Sequence, residues 1–290
     1  MNFASFAVNT LSTTMVYALF AMAVVFAYRT SRILFFCVGE IGAVSAYVMA
    51  EVWGWSGQTA AGLPIAILAT LAVDVAAGLL LFFILSQEKQ EDPFVGTAIT
   101  IAIAIILVGL MSVIWGSSVE QLPLVKGSIT YAGATIPLVG LVAITVGALT
   151  VLTTLALFYW TSIGVELQAV AENRQLAMIN GIPVGRRMLM TWVGACILCG
   201  IGAVLSGAVS AISVESSAIG FSGIVAAIIG GLTSPGGALV GALMLATGEN
   251  LISLFFDVRY STVVPVVFLL VLLMVRPWGL SSRVERIFRT

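Results

Sequence analysis

Residues 94–115 read FVGTAITIAIAIILVGLMSVIW and carry no charge at all. A helix of that length rises about 33 Å at 1.5 Å per residue, enough to cross a hydrocarbon layer of about 30 Å. From Ile99 to Val113 the stretch is predominantly apolar on every face, as is Val263 to Val275. A membrane β-strand would instead alternate apolar and polar residues over about ten positions. Working outward, comparable runs occupy 7–28, 33–53, 61–85, 136–160, 187–212, 220–232, 236–256 and 261–278. The pattern predicts an all-α, polytopic transmembrane helical bundle of about 8–9 spans. The run at 220–232 is short for a crossing, and only residues 29–32 separate the first two runs; if either place re-enters, the number falls to eight.

Composition agrees with that reading. Of 290 residues, 60% are apolar and 9% charged, against roughly 25% charged in a soluble domain. The net charge of −1 and the lack of any basic block exclude nucleic acid as an expected partner and leave the lipid bilayer as the main one. Cys37, Cys196 and Cys199 fall in apolar runs, and the chain has no histidine, so the cysteines read as packing and no metal site is expected. A phosphate-binding G-x-x-x-x-G-K-[ST] motif is also missing, so no cofactor is expected on this chain. The first run has no basic stretch before it and reads as a retained helix. No repeat or low-complexity linker divides residues 1–290, which read as a single transmembrane domain.

Orientation follows from the 12 basic residues. If every run crosses and 161–186 is cytoplasmic, the cytoplasmic side collects Arg29, Arg32, Lys89, Arg174, Arg186, Arg187, Arg276, Arg283, Arg286 and Arg289. Lys126 and Arg259 alone lie outside. The positive-inside rule therefore places the N-terminus outside and the C-terminus in the cytoplasm. Trp53, Trp55, Trp115 and Trp278 fall near span ends, where tryptophan anchors helices at the interface. Small-residue clusters at Gly200, Gly202 and Gly207, and at Gly237 and Gly241, predict close helix packing.

Three acids fall inside expected spans: Glu40, Asp74 and Glu249. A carboxylate there costs about 2.5–3.5 kcal/mol on insertion scales, so each is expected to face protein or a watery path. Glu40 and Glu249 are taken as pathway or gate candidates, and Asp74 as a candidate that a neighbouring partner could explain. Gly, Thr, Ser and Pro interrupt the runs at 230–237, which puts Thr233, Ser234 and Pro235 at a candidate hinge or gate.

Residues 161–186, TSIGVELQAVAENRQLAMINGIPVGR, differ from all this. From Val165 to Ile179, Leu167, Val170, Ala171, Ala177 and Met178 recur among Glu166, Gln168, Glu172, Asn173, Arg174 and Gln175. That spacing predicts one helix outside the bilayer, ended by Gly181, with Pro183 opening the next turn. A single arginine before the closing pair is few for a membrane-surface helix. A face for docking on another protein fits the pattern.

The stretch Glu166 to Arg186 resembles the cytoplasmic loop of the branched-chain amino acid (LivH-type) ABC transporter permeases, with its A-x-[ED]-[NR]-x-x-A-x-x-x-G-I pattern. The matching residues are Ala171, Glu172, Asn173, Ala177, Gly181 and Ile182, with a one-residue shift at the start. Val16 to Ala27 is similar to the family's first-helix run, 220–237 (GFSGIVAAIIGGLTSPGG) to its later glycine-rich signature, and 276–280 (RPWGL) to its terminal R-P-x-G-L. These motifs keep the family's order over nearly the whole chain. Where the family carries N-F-A-H-G-E, this chain has Phe35, Phe36, Cys37, Val38, Gly39 and Glu40, and Ser222 replaces a common lysine.

The resemblance implies a permease subunit of an ATP-driven importer in a bacterial inner membrane, forming half of a translocation pathway. It implies that Glu166, Ala171, Glu172, Asn173, Arg174, Gly181 and Ile182 couple to an ATPase. It places Phe35, Phe36, Val38, Gly39, Glu40 and Ser222 along the pathway. Expected partners are a second related permease subunit, more readily a heterodimer than a homodimer, two cytoplasmic ATPase subunits that hold ATP and Mg, and an extracytoplasmic solute-binding protein. The chain itself is not expected to be an enzyme. The cargo is expected to be a small polar solute, an amino acid or a related amide- or urea-like compound. The alternative is an ion-coupled secondary transporter that works through its intramembrane carboxylates.

Overall fold

In the computed structural model, residues 3–87, 93–116, 118–124, 127–131 and 134–275 are described. The motif at 276–280, Trp278 and the basic residues Lys89, Lys126, Arg276, Arg283, Arg286 and Arg289 lie outside them. Eleven α-helices form the described bundle: α1 (Phe3–Ser31), α2 (Val38–Trp55), α3 (Gly62–Ser86), α4 (Pro93–Ile114), α5 (Leu138–Trp160), α6 (Ser162–Glu172), α7 (Arg174–Ile179), α8 (Val184–Val209), α9 (Ile219–Gly230), α10 (Pro235–Phe255) and α11 (Val264–Val275). Six of them, α1, α3, α4, α5, α8 and α10, are each long and apolar enough to cross a membrane. The helices α2, α9 and α11 are shorter, at 18, 12 and 12 residues.

The axis of the bundle is α1. Almost every side chain from Val16 to Ala27 is buried, because α8, α10, α5 and α9 pack around it. Small residues at Ala18, Ala21, Ala23 and Ala27 let the surrounding helices approach α1 closely. The opposite case is α4, where only Gly96, Thr100 and Met111 are buried while Ile101, Ile105, Ile106, Leu110 and Val113 stand exposed. In water such a surface would drive aggregation; against lipid chains it is the ordinary solvent-facing side.

Two departures from the expected segments matter. The second helix does not start at residue 33. Instead α1 runs to Ser31, Arg32 takes a left-handed conformation (φ 60°), and residues 32–37 are irregular before α2 begins at Val38. Backbone polar groups at this depth need partners, and α4 supplies them. Thr97 accepts from the Leu34 amide at 3.2 Å, while Thr100 accepts from the Phe36 amide at 3.4 Å and donates to the Leu34 carbonyl at 2.8 Å. The loop helix is also broken. Asn173 is extended, ends α6, and caps α7 by accepting from the Leu176 amide at 2.9 Å. Asn is among the best N-cap residues, and that local bond competes with a continuous helix.

A short hairpin, β1 (Ser128–Tyr131) paired antiparallel with β2 (Ala134–Pro137), precedes α5. It marks one end of the bundle; α6 and α7 mark the other. Between α8 and α9 the chain forms a bridge between Ile212 and Glu120, then a 3₁₀ turn at Val214–Ala218.

Candidate functional site

Both α2 and α9 begin inside the bundle. With 12 residues, α9 is about 18 Å long, and it ends beside Arg29 in the last turn of α1, at the α6–α7 end. Its N-terminus therefore lies near mid-depth, where it meets the N-terminus of α2. Gly39 and Gly220 make the crossing: a Cβ built on Gly39 would stand 3.0 Å from the Gly220 Cα and overlap the Ser217 carbonyl oxygen. The N-termini of α2 and of the short α9 thus meet inside the bundle through bare backbone, a geometry that in transport proteins aims helix ends at a solute path.

Polar groups surround this crossing. Glu40 follows Gly39 and is half-buried, and its Oε2 is buried with no hydrogen-bond partner. One turn into α9, buried Ser222 neighbours both Tyr17 of α1 and Glu249 of α10. The Tyr17 hydroxyl donates to Glu249 Oε2 at 2.5 Å. Glu40, Gly39, Ser222 and Glu249 are therefore gathered around the start of α9 by α1, α2 and α10. Phe36 is half-buried. Phe35 and Val38 are instead fully buried, Phe35 edge-on to Trp192 with ring centroids 5.4 Å apart and Val38 packed against Gly220.

Asp74 stands apart. It is 2% exposed at the α2–α3–α8 interface, accepts a hydrogen bond from Ser45, and lies against Gly200, where any side chain would collide with the carboxylate. A neighbouring hydroxyl and a glycine cradle account for this acid as an interior hydrogen bond. Cys37, Cys196 and Cys199 are buried and free. Among the described residues no cluster of ligating side chains could hold a metal.

At the α6–α7 end, Thr233, Ser234 and Pro235 form the turn into α10. Ser234 caps the helix by accepting from the Gly237 amide at 3.0 Å, and Pro235 opens its first turn, a standard helix start. Gly231 takes φ 97°, which ends α9. The two helices then run back-to-back, Gly230 against Gly237 and Gly241 against Ala226, with no side chain between the backbones.

The α6–α7 unit is anchored on one side and bare on the other. Val170, Ala177 and Val184 form a small core of their own, and Arg187 Nε pairs with Glu166 Oε2 at 2.6 Å. Gly181, at φ 80°, closes α7: its amide bonds to Met178 and that of Ile182 to Ala177. Leu176, Met178 and Ile179 are exposed at 55%, 54% and 82%, beside Glu172, Asn173 and Arg174. Tyr17, Arg187 and the Thr97–Thr100 pair were not singled out by sequence; their partners lie 232, 21 and about 65 positions away.

Relatives supply the remaining context. The family model of the branched-chain amino acid transport system permease component matches residues 6–275. A probable branched-chain amino acid transport permease LivH of Methanocaldococcus jannaschii is 25% identical over 284 residues, covering 91% of this chain and 88% of that protein. The high-affinity branched-chain amino acid transport system permease LivH of Escherichia coli K12 is 27% identical, with 84% and 74% covered. Among solved structures, PsaBC from Streptococcus pneumoniae in complex with Fab shares the fold, at a TM-score of 0.51 and 15% identity, covering 97% of this chain and 95% of that one. Its exposed apolar helices and this kinship make the protein a multi-pass inner-membrane permease, a transport subunit and not an enzyme. The chain belongs to the branched-chain amino acid transport system permease family.

Proposed function

We propose that this chain is one permease subunit of an ATP-driven importer and forms half of a translocation pathway for a small polar solute, an amino acid or a related amide- or urea-like compound. The observation that carries the reading is the α6–α7 unit. An ion pair and a glycine cap hold it to the bundle, while it presents bare Leu176, Met178 and Ile179 beside Glu172. An apolar tip rimmed by polar groups is what a docking surface requires. On this reading Glu166, Ala171, Glu172, Asn173, Arg174, Gly181 and Ile182 couple to a cytoplasmic ATPase, which holds the ATP and Mg. The second permease subunit, a second ATPase and an extracytoplasmic binding protein complete the assembly.

The pathway runs past the α2–α9 crossing, with Glu40, Ser222 and Glu249 as its polar groups and the 233–235 turn as its gate. The shorter helices α2, α9 and α11 bring the spans to eight or nine, N-terminus outside and C-terminus cytoplasmic. Glu249 and Asp74 each have a hydroxyl partner on a neighbouring helix, which supports fixed interior bonds over ion carriers. The test is co-expression with the partner subunits and reconstitution into vesicles, with radiolabelled L-leucine, acetamide and urea as probes. Uptake is expected only with ATP and the binding protein, and replacing Glu172 and Gly181 together should abolish it while ATP hydrolysis continues. Uptake by this chain alone, driven by an ion gradient, would sink the proposal.

A further inference from the structure

Arg29 stands where three parts of the chain meet. It lies in the last turn of α1, and its Nη1 donates to the Thr233 carbonyl oxygen at 3.0 Å, in the turn that joins α9 to α10. Its guanidinium carbon sits 4.9 Å from the centroid of the Phe158 ring. Phe158 is 3% exposed and belongs to the last turn of α5, the root of α6. The link from Phe158 to α6 is tight: its carbonyl accepts from Gln168 Nε2 at 3.2 Å, and Gly164 packs on that same carbonyl too closely to tolerate a Cβ. Phe26, one turn before Arg29, meets the Phe158 ring from the side, with centroids 5.3 Å apart. Three residues beyond Arg29, Arg32 reaches the other end of α6, its Nη2 3.4 Å from the Ala171 carbonyl next to the break at Asn173.

One end of α1 therefore touches both ends of α6 and the start of α10. A planar guanidinium suits the junction, because it donates to a carbonyl through its edge while its face lies on an aromatic ring; an ammonium offers a point charge without the plane.

We infer that Arg29 is the positioning residue that passes displacement of the α6–α7 unit to the α9–α10 turn. The inference rests on the reading of that unit as an ATPase-docking surface. When α6 shifts, the Phe158 carbonyl and ring move with it. The guanidinium, held on the ring, carries the shift to the Thr233 carbonyl and hence to the first turn of α10. Arg32 adds a second hold on α6, at the Ala171 carbonyl.

Single reporter cysteines test this in the complete transporter in lipid nanodiscs. Val165→Cys reports on the loop, on α6 away from the docking tip, where the side chain is 60% exposed, and Gly236→Cys on the turn, where a Cβ meets nothing within 4 Å. The native cysteines are buried and stay unlabelled. Each reporter carries a bimane, and its emission is read with and without ATP plus orthovanadate. With Arg29 present, both probes should respond. In Arg29→Gln the loop probe should keep its response, whereas the response at 236 should fall at least about fivefold, the low end of an ordinary coupling energy, at unchanged ATP turnover. Arg29→Lys should restore part of it. Phe158→Leu, which removes the ring and leaves the arginine, should lower the response at 236 in the same way, and it carries the comparison if Arg29→Gln does not assemble. A full response at 236 in both variants overturns the relay, as does silence at 236 with Arg29 present while the loop responds. A loop probe silent to nucleotide with Arg29 present refutes the docking reading itself, and the relay falls with it.

Discussion

Replacing Gly39 with alanine tests the crossing on which the site depends. The added Cβ would lie 3.0 Å from the Gly220 Cα and overlap the Ser217 carbonyl oxygen. Both obstacles are backbone, so no side chain can rotate aside and α2 must back away from α9. Overpacking of this kind costs about 1–3 kcal/mol. Alanine's helix preference over glycine returns up to about 1 kcal/mol, which leaves a net loss of roughly 0–2 kcal/mol. Gly220→Ala meets the Gly39 Cα and amide nitrogen and should cost a similar amount. One separation of the helices accommodates both methyls, so the double variant should cost clearly less than the sum of the singles. Gly109→Ala is the control, since it faces open space on α4 and should gain about 0.5–1 kcal/mol. Equilibrium unfolding in mixed micelles, titrated with dodecyl sulfate and followed by circular dichroism, measures all four. Equal midpoints for Gly39→Ala and Gly109→Ala, or strict additivity at 39 and 220, would refute a close backbone contact.

Three further substitutions probe other joints. Tyr17→Phe deletes the hydroxyl that donates to Glu249 and should cost about 0.6 kcal/mol and at most about 1.7, the mean and the maximum measured for hydrogen bonds between membrane helices; a double-mutant cycle with Glu249→Leu, which removes the acceptor, should show a coupling energy of that size. Thr100→Val strips the group that serves the Leu34 carbonyl and the Phe36 amide, at about 1–3 kcal/mol for buried groups left unsatisfied. Thr100→Ser should preserve the slow amide exchange at Phe36 that the valine abolishes. Gly181→Ala places a Cβ at φ 80° and should loosen the end of α7 by about 1 kcal/mol, seen as faster amide exchange over 176–182 while the transmembrane helices keep their protection.

How much of this was legible in sequence depends on which force sets each feature. Lipid-facing helices declare themselves, because α3, α4 and α5 must be apolar over a span's length, and their ends fall within a few residues of the runs at 61–85, 94–115 and 136–160. The start of α2 was not legible. Phe35, Phe36 and Cys37 are as apolar as the helix after them, and what holds them out of it is a pair of threonine hydroxyls on α4, more than sixty positions away. Asn173 was visible as a motif residue, yet its role as the cap that breaks the loop helix is a local competition that the apolar spacing of Val170, Ala171 and Ala177 conceals. The candidate site divides in the same way. Glu40 and Glu249 stood out because carboxylates are rare in such runs, whereas Tyr17 lay unremarkable in the first helix until folding set it against an acid 232 residues on.

The proposed mechanism also depends on where the α9–α10 pair is held and where it is free. Along their mutual contact, Gly230, Gly237 and Gly241 bring the backbones together without interdigitating side chains, and Gly39 and Gly220 do the same toward α2. Packed side chains resist sliding because knobs sit in holes, but a bare glycine contact has no knob to lift out. Besides the packing of α1 against both helices, two hydrogen bonds hold the pair: Tyr17 on Glu249 toward the middle, and Arg29 on Thr233 at the α6–α7 end. Both come from α1, whose side chains are almost all buried from Val16 to Ala27. A displacement that enters through α6 and Arg29 therefore acts on a hairpin smooth along its glycine contacts and tethered to α1 through Tyr17. Such a hairpin should tilt about that tether, beside Ser222, so that the α9–α10 turn at the α6–α7 end moves most while α3 and α4 stay in the lipid as they were.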